Sequence, residues 1–162
     1  MLKEGQIRIP SGCAIAAIID KKGGKINGSE IIKSIALMHD RSNGLGGGFA
    51  AYGIYPEHAD DYAFHVFYDT AESKKECEDF LFRHFNVDVS EKIPTKKVDS
   101  IANGPDIWRY FAKPNKVRMK ESRLDEKEFV AQCVISVNQN IDNAFIFSSG
   151  KNMGCFKAVG YP

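Results

Sequence analysis

The sequence lacks the signals of several large protein classes. No apolar run approaches the roughly 20 residues that a membrane-spanning helix needs. Residues 1–12 are charged and lack the apolar segment that a secretory signal peptide contains. Twenty-two basic residues against 21 acidic ones give a net charge of +1, so the chain has no field that would attract nucleic acid or an anionic membrane. We therefore expect a cytoplasmic protein that binds neither nucleic acid nor membranes.

The cysteines also lack a recognisable pattern. Their spacing contains no Cys-x-x-Cys, and no pair of histidines completes a zinc motif. A chain with 43% hydrophobic residues does not need disulfides to hold a core. We expect all four to be reduced, and three of them to be small buried side chains; the four are Cys13, Cys77, Cys133 and Cys155.

The length of 162 residues suits a single domain, here predicted over 13–162 after a leader of residues 1–12. The apolar run Cys13–Ile19 predicts a strand that is buried on both faces. Asn27 and Glu30 have the spacing of a capping box, which predicts a helix after Asn27. The segments 49–55 and 62–68 predict two strands paired with each other.

Further along, Asp69 and Glu72 predict a second capped helix, and apolar residues at helical spacing predict a third from about Asp125. The stretch 89–120 is rich in lysine and proline and gives no clear prediction. The segments 144–148 and 155–159 predict two closing strands around a turn at 149–152. This order of elements predicts an α+β fold built as a layered sandwich.

Two patterns resemble ligand sites only weakly. The glycines of 44–48 do not complete Gly-x-Gly-x-x-Gly, because Phe49 occupies the last position, so a tight turn is the better interpretation. Four side chains with metal-binding chemistry lie close in sequence, but a solvated loop explains them better; they are Glu57, His58, Asp60 and Asp61. We therefore predict no cofactor and no metal ion.

Cys13 stands out because of what precedes it. The leader ends in Ser11-Gly12, and cleavage after these small residues would leave Cys13 at the amino terminus. Its α-amine would titrate near pH ~8 and could accept the thiol proton, then return it to a departing amine. One residue would thus supply both the nucleophile and the general base, and no catalytic histidine would be needed.

Three segments together resemble one enzyme family. They are Ser-Gly-Cys at 11–13, Ile-Ala-Leu-Met-His-Asp-Arg-Ser-Asn-Gly at 35–44, and Phe-Ser-Ser-Gly-Lys-Asn-Met-Gly at 147–154. The pattern is similar to that of class II glutamine amidotransferases, which are N-terminal nucleophile hydrolases. The likeness is to the amidotransferase domain of archaeal-type glutamate synthase large subunits, and it implies their layered αββα sandwich.

The resemblance implies hydrolysis of glutamine to glutamate and ammonia through a γ-glutamyl thioester on Cys13. In glutamate synthase the ammonia passes to a flavin-containing synthase domain, which would be the partner here. Arg41 matches the family's arginine near the nucleophile. A surface arginine at a helix carboxyl end, favoured by the helix dipole, is an equal alternative for Arg41.

The sequence also departs from the family pattern. Ala14 and Ala17 stand where glycines are usual, and the family's glutamine-binding arginine and oxyanion Asn-Gly pair should follow the segment 160–162. We therefore expect the first part of such a domain, with a catalytically silent domain that binds a synthase subunit as the alternative. Its exposed apolar surface should then be covered by a partner or a second copy.

Overall fold

The computed structural model describes residues 13–41, 46–95 and 104–158. They form two compact units, one made of the described residues up to Phe49 and from Lys157 onward, the other of Ala50–Phe156. The second unit is continuous and the first contains chain from both sides of it, so the second unit is an insertion in the first. The predicted leader 1–12, the first part of the glycine turn at 44–48 and the end of the last predicted strand lie outside the described residues. A single domain over 13–162 stays a prediction.

The first unit contains one α-helix and a short 3-10 helix. Helix α1 (Gly28–Ala36) begins where the sequence predicted, and the Asn27 side chain accepts a hydrogen bond from the Ser29 amide at 2.9 Å. The 3-10 helix spans His39–Arg41. The predicted strand over 13–19 is wrong, since these residues form neither helix nor strand and Ile15 is exposed. A strand needs a neighbour for its backbone hydrogen bonds, and none of the described strands pairs with this segment.

The inserted unit begins and ends on two strands that pair with each other. Strand β1 (Gly47–Tyr52) and strand β6 (Met153–Ala158) make a two-stranded sheet. Between them lie a 3-10 helix at Pro56–His58, β2 (Tyr62–Tyr68), α2 (Ala71–His84), β3 (Phe85–Lys92), β4 (Asp106–Pro114), α3 (Lys116–Ser122), α4 (Glu126–Asn140) and β5 (Ala144–Lys151).

The four inner strands form an antiparallel sheet in the order β3-β4-β2-β5. The succession β2-α2-β3-β4-α4-β5 is the βαββαβ order of the ferredoxin-like, split βαβ motif. The predicted α+β class is therefore confirmed. No helix in the described ranges is long and apolar enough to cross a membrane.

The core lies between α2, α4 and one face of this sheet. Alternate residues of β2 point to it, as the two-residue period of a strand requires: Phe64, Val66 and Tyr68 are buried there. The helices contribute residues at three- and four-residue spacing, namely Cys77 and Leu81 from α2 and Phe129, Val130, Cys133 and Val137 from α4.

Both predicted helices of this unit are confirmed. Helix α4 begins with a complete capping box, in which the side chains of Asp125 and Glu128 each accept from the other residue's backbone amide. Helix α2 starts one residue later than its predicted cap. Thr70, not Asp69, is the N-cap, and its hydroxyl accepts from the Ser73 amide at 3.1 Å.

Two predicted strand pairings are wrong. Strand β1 does not pair with β2, because a 3-10 helix replaces the expected hairpin loop and β2 lies between β4 and β5 instead. Strand β5 continues through Ser149 to Lys151, where the sequence predicted a turn. The chain reverses at Asn152, which has a φ of 47°, and β6 then pairs with β1 rather than β5.

Candidate functional site

Cys13 is the exposed member of four unpaired cysteines. Cys77 and Cys133 are buried, and burial raises the pKa of each thiol to about 11. These two therefore remain protonated at neutral pH and unsuited to nucleophilic attack. Cys155 is half-buried. Of the four thiols, Cys13 has the solvent access that an attacking group requires.

Arg41, the second predicted site residue, ends the 3-10 helix of the first unit and is exposed. Within the described ranges, no hydrogen bond or ion pair joins Arg41 to Cys13. The structure therefore shows no polar contact between the two predicted residues. A role for Arg41 beside the nucleophile stays a prediction.

A polar cluster of the inserted unit lies on the sheet face that points away from α2 and α4. His65 of β2 is fully buried there, and its Nε2 lies 2.8 Å from the Tyr55 hydroxyl. The Arg109 Nη1 donates to the same hydroxyl at 3.3 Å. Since Arg109 can only donate, Tyr55 accepts this hydrogen bond, and its hydroxyl proton and second lone pair can bond to Nε2 of either neutral tautomer of His65.

The guanidinium group of Arg109 is fixed by an ion pair and by two aromatic rings. Its Nε and Nη2 both donate to one carboxylate oxygen of Glu91, and its guanidinium lies 4.9 Å from the Tyr55 ring centre and 5.2 Å from that of Phe111. Burial, and then the positive charge of Arg109, lower the pKa of His65 to about 4. At neutral pH His65 is thus an uncharged hydrogen-bonding group beside a fixed cation.

A second group of polar side chains lies at the edge of this cluster. Two of the four loop residues considered in the sequence, His58 and Asp61, come together with Asp88 of β3. Glu57 and Asp60 are exposed and take no part in this group. The expectation of a purely solvated loop is wrong for Asp61, because this carboxylate is buried and paired.

The sequence did not identify the Tyr55, His65, Glu91 and Arg109 cluster. These residues come from a loop and three strands, and their proximity depends on strand pairing that no local pattern specifies. One signal was present. His65 is the single titratable imidazole in the otherwise apolar and aromatic run Tyr62–Tyr68, and such a residue in a buried strand needs a specific partner.

Comparison with known proteins gives one informative relative. No family model matches the chain. An uncharacterized protein of Archaeoglobus fulgidus is 43% identical over 152 residues, which are 93% of this chain and 40% of the relative. The chain thus spans less than half of a protein about 380 residues long. Because the match covers 93% of the chain, it includes most of the inserted unit as well as the first unit.

Proposed function

We propose that this chain carries the nucleophile-bearing part of a class II glutamine amidotransferase of the glutamate synthase type. Cys13 is the proposed nucleophile, and the observation that carries the proposal is its exposure at the head of the matching motif, in contrast to two buried thiols. The proposed domain is an αββα sandwich interrupted by the inserted unit.

The position of the insertion supports the proposal. The segments that resemble the family end at Gly44 and resume at Phe147, and nearly all of the inserted four-stranded sheet lies between them. The strands that flank the insertion, β1 and β6, pair with each other. This pairing brings the start and the end of the intervening sequence together, which is compatible with one continuous amidotransferase core.

The proposed chemistry uses groups of Cys13 itself. Once the bond after Gly12 is cut, the α-amine takes the thiol proton and the sulfur attacks the side-chain amide carbon of glutamine. The carbon–nitrogen bond breaks, the amine returns the proton, and ammonia leaves. Water then hydrolyses the thioester to glutamate. Arg41 is proposed to lie near the nucleophile.

Groups beyond these 162 residues are needed to complete the site. The proposal places the glutamine-binding arginine and the oxyanion donors in further polypeptide, and the Archaeoglobus relative has about 60% of its length outside the match. Loss of a single oxyanion donor slows such reactions by roughly a hundredfold or more. We therefore expect little turnover from these residues alone.

A catalytically silent domain that binds a synthase subunit is the second candidate. It is favoured by the apolar residues exposed in the first unit, which are Ile15, Ile18, Ile19, Ile32 and Leu37. Helix α1 has an apolar and a polar face yet buries no residue. An apolar surface of this kind is a docking surface for other polypeptide, whether or not Cys13 reacts.

Alkylation of Cys13 separates the two candidates. The chain, with its amino terminus at Cys13 and together with the polypeptide proposed to supply the glutamine-binding groups, is treated with 6-diazo-5-oxo-norleucine, a glutamine analogue, and in parallel with iodoacetamide, and modified peptides are mapped by mass spectrometry. Cys13→Ser and Cys155→Ser are the matched controls. The amidotransferase proposal predicts that the analogue modifies Cys13 in wild type and in Cys155→Ser, and that glutamine protects it.

Modification of Cys13 by iodoacetamide but not by the glutamine analogue would support the silent, partner-binding domain. Equal modification of Cys13 and Cys155 by the analogue, without protection by glutamine, would also contradict the proposal, because it would indicate general thiol reactivity rather than recognition of glutamine.

A further inference from the structure

Three side-chain atoms of the inserted unit that could bind a metal ion lie close together. Nδ1 of His58 lies 2.8 Å from Oδ2 of Asp61 and 3.9 Å from Oδ2 of Asp88. All three atoms lie within 4.8 Å of one another. Ligands of one ion at about 2.0–2.2 Å are about 3–4 Å apart, so small side-chain movements would bring all three onto a single metal ion.

Two of the three donors are already held in place. The His58 ring stacks on Phe111, with centres 3.8 Å apart and planes 6° apart. Asp61 is buried, and its backbone amide donates to the His58 carbonyl while its carbonyl accepts from Asn152. Lys113 pairs with the other carboxylate oxygen of Asp61 at 3.3 Å. This leaves Oδ2 of Asp61 directed toward Nδ1 of His58, so that both atoms face the proposed ion position.

The third donor, Asp88, lies at an irregularity in the pairing of β3 with β4. The register of β3 against β4 shifts between Val87 and Val89, so Asp88 is an extra residue with no partner opposite it. A bulge of this kind redirects a side chain. Asp88 is 74% exposed, so its carboxylate is free to move the short distance to an ion.

The charges of the group also favour a cation. Two carboxylates flank one imidazole nitrogen, and Lys113, whose ammonium group pairs with Asp61, has a side chain that is 63% exposed. A ligand set of one imidazole and two carboxylates suits zinc and similar transition metals. Calcium and magnesium prefer oxygen ligands alone.

We propose that His58, Asp61 and Asp88 form a binding site for one divalent transition-metal ion of the zinc type, with a remaining position open to water or an anionic ligand. The site belongs to the inserted unit and does not depend on the glutaminase proposal.

Cobalt(II), which absorbs visible light when protein-bound, is the probe for a direct test. The full chain, freed of metal with a chelator and carrying Cys13→Ser to remove the exposed thiol, is titrated with cobalt(II) and, by calorimetry, with zinc(II). We expect one ion per chain. Asp88→Asn should weaken binding by at least the ~10–100-fold that loss of an outer partner costs at metal sites, and His58→Gln should do the same.

Asp60→Asn is the matched control, because it makes the same change in charge at an exposed neighbouring carboxylate and should alter binding less than about twofold. Asp88 is exposed, so its variant should keep the wild-type circular dichroism spectrum, which is recorded for each protein. Absence of binding, or equal weakening by Asp60→Asn and Asp88→Asn, would overturn the proposal.

Discussion

The Oδ1 atom of Asn152 accepts a hydrogen bond from the backbone amide of Tyr55 at 2.8 Å, across 97 positions of sequence. The backbone of Asn152 also accepts from Gly53 at 2.7 Å and donates to Asp61 at 3.0 Å. One residue thus joins the entry and the exit of the inserted unit. Its positive φ of 47° is a conformation that asparagine tolerates better than most residues.

Substitution of Asn152 separates the side-chain bond from the backbone conformation. Asn152→Gly keeps the positive φ but loses the bond to Tyr55, and should lower the free energy of unfolding by about 1 kcal/mol. Asn152→Ala loses the bond and adds backbone strain, and should cost about 1–2 kcal/mol more. Urea unfolding followed by circular dichroism measures both values. Equal stability of the two variants would show that the conformation contributes nothing.

The buried imidazole of His65 predicts a stability that depends on pH. Its pKa is about 4 in the folded protein, below the ordinary value near 6.5. Between these values the unfolded chain binds a proton that the folded protein does not, so stability falls as the pH falls from about 6.5 toward 4. The shift corresponds to a loss on the order of 3 kcal/mol.

His65→Phe is the control for this titration, because it keeps a buried ring and removes the ionisable group. Unfolding by urea at pH 7.5, 6 and 5 should show the wild type losing stability relative to His65→Phe at each step. A difference between the two proteins that is the same at all three pH values would contradict the assignment of His65 as a buried neutral base.

Asn138 of α4 should stabilise the edge of the sheet. Its Oδ1 accepts from the Ile146 amide at 2.7 Å, and its Nδ2 donates to the Ile146 carbonyl at 3.0 Å. It therefore satisfies the backbone of edge strand β5 as a further strand would. We expect Asn138→Ala to cost about 1–3 kcal/mol in thermal or urea unfolding.

Asn140→Ala is the matched control, since Asn140 lies in the same helix but is exposed, and its side chain donates to a carbonyl of its own helix, that of Ser136. Its effect should stay within about 0.5 kcal/mol. If both variants are equally stable, the contact with Ile146 does not protect the strand edge.

The helices α1, α2 and α4 could be predicted from the sequence because their signals are local, whereas α3 begins in the stretch 89–120 that gave no clear prediction. The N-cap of α1 at Asn27 and the capping box of α4 at Asp125 and Glu128 are formed by residues within three positions of each other. The missed cap at Thr70 is an error of one residue, because a threonine and an aspartate side by side satisfy the same rule.

The sheet and the polar cluster could not be predicted in the same way. Strands β1 and β2 are close in sequence, yet their partners are β6, β4 and β5, and such pairing depends on contacts distant in sequence. The contact of Arg109 with Tyr55 and the delivery of Asp88 by a bulge follow from that pairing. The apolar run that begins at Cys13 led to a wrong strand prediction. The pattern of one segment does not show whether another strand lies beside it.

The mass of the mature protein tests the central claim most directly. The chain is isolated from its native source, and its amino terminus is determined by intact-mass spectrometry and sequencing of the first peptide. The account predicts that the polypeptide begins at Cys13 with a free α-amine. A polypeptide that retains Met1–Gly12 would contradict it, because Cys13 would then lack the amine that is proposed to act as its base.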